Sequence, residues 1–395
     1  MKRILISTIC AGVILCYGQT WAVDLSGYFE TQLMGADIKN QFYLLHSNKL
    51  RVDLYGELNS RITFAANVNA ISYHGKTKWS VPDFISAKLA AGIPEDLLPY
   101  YVLQFEDRAV LDNAYVRYSG KAMDITIGKQ QISPGVGYAW NPVDVFNYKD
   151  ILDPTYEQPG HNAIRCDFTL NSRFSLNALF GAGEQWTDSD KMISMKGGIS
   201  RFDFSVIFAE RLRSIHDYLT LDPNTQFFNE IREKRQMLGG FIDGELLGLG
   251  IWSEYAYNHM AVSESFYEWL IGSDYTFNSQ TYIMVEYYRN TMGKPDDQKY
   301  TFNDWMRYFS QEQKAICRDQ IYLYILQPVT DLVQIGFSSI VSLSDKSVAL
   351  LPALNWSLSE NLALLTYLNL YLGDEGTTYS RDLGNGALIR LTAYF

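Results

Sequence analysis

The last nine residues alternate without a break: Ala387, Ile389, Leu391, Ala393 and Phe395 fall on one face, and Leu388, Arg390, Thr392 and Tyr394 on the other. Successive side chains of a strand point to opposite faces, so a period of two with hydrocarbon on one side and charge on the other describes a strand with one side in lipid. The pattern recurs along the chain with a regular punctuation. Short polar turns sit at Asn59-Ser60, Gly120-Lys121, Asn171-Ser172, Arg201, Leu247-Gly248, Asn278-Ser279-Gln280, Thr330-Asp331 and Ser359-Glu360-Asn361, each flanked by two alternating runs. The connections between these hairpins are mostly longer, at 37–47, 73–107, 133–162, 183–190, 210–235, 258–265, 290–318, 344–346 and 373–383. Eight turns and nine connections join eighteen strands. Short turns on one rim and long loops on the other are the habit of outer-membrane barrels, whose short turns face the periplasm. Sixteen strands remains the alternative count, because 344–346 is short for an outer loop and 73–107 has room for a further hairpin.

Composition closes off other classes. With 33 Lys and Arg against 44 Asp and Glu, the chain has no basic footprint for nucleic acid, and 57 aromatic residues are too many for a disordered protein. Lys2 and Arg3, the apolar stretch from Ile4 to Tyr17 and the small-x-small step Thr20-Trp21-Ala22 read as a secretory leader over 1–22, leaving 23–395 as the barrel. Elsewhere no run reaches 18 apolar residues, which excludes a bundle of spanning helices. Cys166 and Cys317 are too far apart in sequence to suggest a disulfide framework and are expected to be unpaired.

Parity assigns the lumen. Leu50, Val52, Leu54, Val116, Ile164 and Phe168 are expected to face lipid, leaving Arg51, Asp53, Glu57, Arg117, Arg165, Asp167 and Arg390 inside. Inward carboxylates also fall at Glu30, Asp124, Asp243, Glu245, Glu254, Asp274 and Glu286, so acid outnumbers base in the lumen. Aromatic residues at strand ends, among them Tyr28, Phe29, Tyr118, Tyr255, Tyr257, Tyr287, Tyr288, Tyr367 and Tyr371, suit interfacial girdles.

The connection 133–162 is unusual. Pro134, Pro142, Pro154 and Pro159 restrict its backbone, and its apolar residues suit bulk water poorly. We expect it to fold into the barrel and narrow it, with Trp140, Asn141, Asp144, Asp150 and Asp153 at the constriction. The three aspartates are expected to face Arg117 and Arg165 across a transverse field. Gly128-Lys129-Gln130-Gln131-Ile132, then Trp140-Asn141-Pro142-x-Asp144, Asp153-Pro154 and Gly160 to Arg165, resemble a pattern of porin-like barrels in the alginate-export group, over residues 109–170. The resemblance implies passage of a hydrophilic solute, with anionic ones included. The excess of inward carboxylates instead favours cations or neutral molecules.

Nothing in the chain has the spacing of an enzyme or a bound cofactor. The histidines (46, 74, 161, 216 and 259) lie in or beside the outer loops, and there is no Gly-x-Ser-x-Gly elbow, Cys/His metal spacing or phosphate-cradling loop. The expected function is passive passage of small hydrophilic solutes, without catalysis, metal or cofactor. Export or uptake of an anionic saccharide, and a structural or adhesive barrel, are the alternatives. Expected partners are outer-membrane lipid, the solute, and the barrel assembly machinery, which would read the terminal strand ending in Phe395.

Overall fold

The computed structural model describes residues 23–153 and 156–395; the expected leader over 1–22 lies outside them. The first half runs β1 (Val23–Ile38), β2 (Gln41–Asn59), β3 (Ile62–Gly75), β4 (Lys78–Ser80), β5 (Val102–Gln104), β6 (Arg108–Ser119), β7 (Met123–Gln130), β8 (His161–Thr169) and β9 (Phe174–Gly181). The second half runs β10 (Asp190–Ile199), β11 (Phe202–Leu221), β12 (Phe228–Leu246), β13 (Leu249–Met260), β14 (Phe266–Thr276) and β15 (Tyr282–Asn290). It ends with β16 (Asp319–Pro328), β17 (Val333–Ser342), β18 (Val348–Ser359), β19 (Leu362–Tyr371) and β20 (Asn385–Tyr394). Apart from β4 and β5, which pair only with each other, the strands form one 18-stranded antiparallel sheet in chain order. It closes where Tyr28 of β1 meets Tyr394 of β20, and the backbones of Gly27 and Phe395 exchange two further hydrogen bonds at that seam. Closure satisfies every edge, which a spanning sheet requires. The protein is an outer-membrane-type β-barrel.

All eight short turns fall where the alternation puts them. Two of the long connections do not. Expected loops 37–47 and 210–235 are largely strand, because β1 and β2 continue to a two-residue turn at Lys39 and Asn40, both at positive φ, as such hairpins require. Similarly, β11 and β12 run on to Leu221 and Phe228. Charged residues occupy both faces of that extension, so no lipid-facing parity marks it. The hairpin that 73–107 had room for exists as β4 and β5, outside the barrel wall.

The outward face is apolar. Leu50, Ile127, Val206, Ile271 and Ile389 are each more than two-fifths exposed, an arrangement that is favourable in hydrocarbon and costly in water. On β14, outward Ile271 lies between Tyr267 and Trp269 above and Tyr275, with Phe277 just past the strand end, below, one aromatic pair for each girdle. Ile271→Arg is therefore expected to cost about 2–4 kcal/mol, read as a lower unfolding midpoint in lipid. Of the residues assigned to girdles from sequence, Tyr28, Tyr288, Tyr367 and Tyr371 instead face the interior; three of them are buried, and Tyr28 bonds a loop residue. Their parity was inward, and strand-end position alone misassigned them.

Over the outer mouth, loops 76–107 and 291–318 pack on the β11–β12 extension through Ile85, Leu97, Tyr101, Tyr218, Phe302, Trp305 and Ile316. The helix Phe302–Phe309 within this roof starts with a capping box between Thr301 and Asp304.

Candidate functional site

The connection between β7 and β8, residues 131–160, enters the barrel. Its first half lies flat on the inner wall. Ile132, Val143, Val145 and Phe146 pack on Leu179, Met192, Ile207, Met237 and Ala256, while Ala139 and Trp140 pack on Leu270, Met284, Tyr288 and Tyr322. Two carboxylates of the wall fasten it. Glu254 accepts from the backbone N–H groups of Val136, Gly137 (2.6 Å) and Val143 (3.3 Å). Glu286 accepts from Tyr138 (2.6 Å) and Ala139 (2.7 Å), and from the Trp252 indole (2.7 Å). Extended loop backbone leaves N–H groups without partners, and these carboxylates supply them with charge-assisted bonds. Gly135 is in the left-handed region at φ +98°, where a Cβ would collide with Asn141 and Glu254. The Lys149 ammonium donates to the carbonyls of Gly137 (2.6 Å) and Tyr138 (3.1 Å), and Arg211 donates to Val145 and Phe146.

This placement corrects several sequence assignments. Glu254 and Glu286 point inward but do not line open lumen, since the loop covers them and leaves them 1% and 0% exposed. Trp140, Asn141 and Asp144 are buried, Trp140 between the loop and the wall and the other two among the loop's own turns. Trp140 stacks on Tyr288 at 4.9 Å, Asn141 bonds the Pro134 carbonyl, and Asp144 accepts from the N–H groups of Phe146 and Asn147 and from the Asn147 side chain. Burial pushes the Asp144 carboxyl up, against the Asn147 bond and the Lys314 charge. It cannot face Arg117 and Arg165. The arrangement is a turn-forming aspartate of the kind that short polar side chains build around their own backbone.

The second half of the loop crosses the lumen. Asp150 and Asp153 reach its open surface, and the thinned solvation within the barrel together with the neighbouring Asp153 charge raises the Asp150 carboxyl. Glu157 spans to the opposite wall, where it accepts from Lys49 (2.7 Å), Arg51 (3.3 Å) and the Tyr28 hydroxyl. Burial works to raise the Glu157 carboxyl, but the bonds from Lys49 and Tyr28 and the charges of Lys49 and Arg51 hold it below the usual range. Neither Glu157 nor Lys49 was singled out from sequence. Lys49 shares the inward parity of Arg51 two positions on, a signal hidden by reading the preceding residues as loop.

Three cavities follow one another along the inner face of β1. The outermost, about 290 Å³, lies beside Met34 and Ala36 and is lined by aromatic residues including Trp79, Phe84, Tyr148, Tyr308 and Tyr367. The middle one, about 470 Å³, lies beside Glu30 and Gln32 with Lys49, Asp150, Asp153, Glu157 and Arg390 in its wall. The innermost, about 360 Å³, lies beside Asp24 and Ser26 and holds Arg51, Asp53, Arg117 and Arg165. The Glu157 bridge stands between the middle and innermost cavities. Three ion pairs match lumen charges within the wall, Arg51 on Asp53 at 2.9 Å, Arg165 on Asp167 at 3.0 Å, and Arg390 on Glu30 at 3.3 Å. Asp124 pairs across the ladder with Asp167 near the periplasmic rim.

No family model and no curated protein matches the chain. Its fold is similar to that of OccAB4 from Acinetobacter baumannii, with a TM-score of 0.56 at 7% identity over 94% of this chain and 98% of that one. OmpT of Vibrio cholerae matches at TM-score 0.47 and 9% identity, and a mutant porin of Rh. blastica at 0.48 and 12%, each over 95% of this chain and 100% of the other. Identity at these levels speaks to the fold. The resemblance of residues 109–170 to the alginate-export group gains no support from these matches.

Proposed function

We propose that this barrel is a non-enzymatic channel for passive passage of small hydrophilic solutes across the outer membrane. The supporting observation is the succession of three cavities along β1, each roomy enough for many waters, running from beneath the outer roof to the periplasmic rim, the outermost largely aromatic and the two deeper ones bounded by polar and charged side chains. A barrel of this strand number that served only as a scaffold would have no need of an inserted loop whose far end carries ionised groups into the lumen.

Selectivity follows from the charges that remain in open lumen. With Glu254 and Glu286 withdrawn beneath the loop, the acid excess is smaller than parity alone suggested. At the middle cavity Glu30, Asp150, Asp153 and Glu157 still outnumber Lys49 and Arg390. Cations and neutral solutes therefore pass more readily than anions, by a modest margin, because the ion pairs neutralise part of the field and salt screens the remainder within about 8 Å. The β20 face ending in Phe395 is the segment offered to the assembly machinery, and the apolar band is the surface offered to lipid.

Planar-bilayer recording of the purified protein tests this. Discrete conductance steps with a reversal potential of cation-preferring sign in a salt gradient are expected. A folded, inserted barrel with no conductance would favour the structural or adhesive reading, and a clear anion preference would favour a conduit for anionic saccharides.

A further inference from the structure

A fourth cavity, of about 400 Å³, opens on the opposite side of the crossing loop, against β16 to β19. Its wall is aromatic to a degree that passage of water and ions does not require. Tyr138 of the loop lies nearly parallel to Tyr322 (ring centroids 6.0 Å apart, 25°) and Tyr324 (5.8 Å, 22°), and about half of its surface is exposed. Tyr282 meets Tyr324 edge-on at 6.2 Å, and Tyr156 completes the surround. Asp150 and Asp153 share the same cavity. Among the described residues its one basic lining group is Lys149, whose ammonium is turned into the carbonyls of Gly137 and Tyr138. Below, the Tyr282 hydroxyl donates to inward Asp274, so aromatic rings and carboxylate continue toward the periplasmic rim. The arginines lie on the other side of the lumen, with Arg51, Arg117 and Arg165 around the innermost cavity.

We infer that this cavity is a binding site for small organic cations carrying an ammonium group, primary or quaternary. A ring face presents the negative side of its quadrupole, which attracts a cation most strongly where water is thinned out, and quaternary ammonium groups are the ligands such surrounds hold best. Two neighbouring carboxylates in one confined space repel each other, and an ammonium entering between them and the rings relieves that repulsion. The inference deepens the channel reading and rests on it, since the cavity belongs to the same lumen. It names the solute class that the aromatic and acidic side of the lumen would retain.

The test uses the full protein in planar bilayers with choline, glucose and benzoate at equal concentration, and isothermal titration of choline into the detergent-solubilised protein. Choline is expected to interrupt the current saturably and to bind in titration, with glucose and benzoate far weaker. Tyr138→Leu and Asp153→Asn should each weaken choline by about five- to tenfold. Because Tyr138→Leu alters the loop, Tyr324→Leu on the barrel wall is the companion variant, and it should weaken choline to a similar extent. Glucose or benzoate binding as tightly as choline, or choline affinity unchanged in Tyr324→Leu, overturns the inference while leaving a conducting channel in place. Choline binding by a barrel that carries no current supports the site and overturns the channel reading instead.

Discussion

Replacing Glu254 and Glu286 together by leucine is expected to release the first half of the loop from the wall and give larger, noisier single-channel currents. The two carboxylates accept five backbone N–H bonds between them, from Val136, Gly137, Val143, Tyr138 and Ala139. Hydrogen bonds to a charged group contribute about 1.5–3 kcal/mol each, and a buried N–H left without a partner costs about 1–3 kcal/mol. Apolar packing of the same half, at about 1.5–3 kcal/mol per fully buried side chain, is of comparable total size, so losing the five bonds removes about half of what holds the segment down. The barrel itself should persist, because its ladder does not pass through these carboxylates. Limited proteolysis reports the release independently, with new cleavage inside 133–153 while the strands resist. The paired amide substitutions Glu254→Gln and Glu286→Gln keep an acceptor oxygen and should give a smaller effect. Parent-like currents and an uncut loop in the double leucine variant would show that packing alone holds the insertion.

The same two residues show how far sequence could go. Their inward direction was legible, because Glu254 and Glu286 alternate with outward Tyr255 and Val285, and charge on the lipid side is costly. Their use was not, since what they bond is the backbone of a segment more than a hundred residues away. Parity tells which face a side chain takes and says nothing about what covers it. The strand count, the eight turns and the entry of the proline-rich connection all followed from local pattern. The tips of β1–β2 and β11–β12 were lost because they stand clear of the apolar band, where neither face need be apolar. Within the connection, residue type misled. Asp144 looks like a constriction charge but caps its own turn, whereas Glu157, a single acidic residue near the loop's end, finds Lys49 and Arg51 on a strand about a hundred residues earlier in the chain. The tyrosines of β16 were readable in principle, since Ile321-Tyr322-Leu323-Tyr324-Ile325 alternates aliphatic with aromatic.

Glu157→Ala is expected to widen the passage between the middle and innermost cavities and to shift its preference toward anions, since it removes one carboxylate and leaves Lys49 and Arg51 without their shared partner. Arg51 keeps Asp53, so the unmasked charge is chiefly that of Lys49. Acid should separate this bridge from the other loop carboxylates in the parent protein. The Glu157 carboxyl lies below the usual range, because the Lys49 and Tyr28 bonds and the nearby positive charges outweigh its burial. What it contributes to holding the loop is therefore fully present above the ordinary carboxylate range and is lost only as pH falls through that depressed value. Asp150 is displaced the other way by burial and by Asp153, so it takes up its proton before Glu157 does as pH falls from neutrality. Mild acidification should reduce cation preference while conductance holds, and stronger acidification should then raise conductance toward that of Glu157→Ala. Reversal potential and step size recorded on one channel across a pH series separate the two stages. Conductance rising before selectivity changes would mean that the bridge is weaker than its three partners imply, and an unaltered step size in Glu157→Ala would move the narrowest point elsewhere along β1.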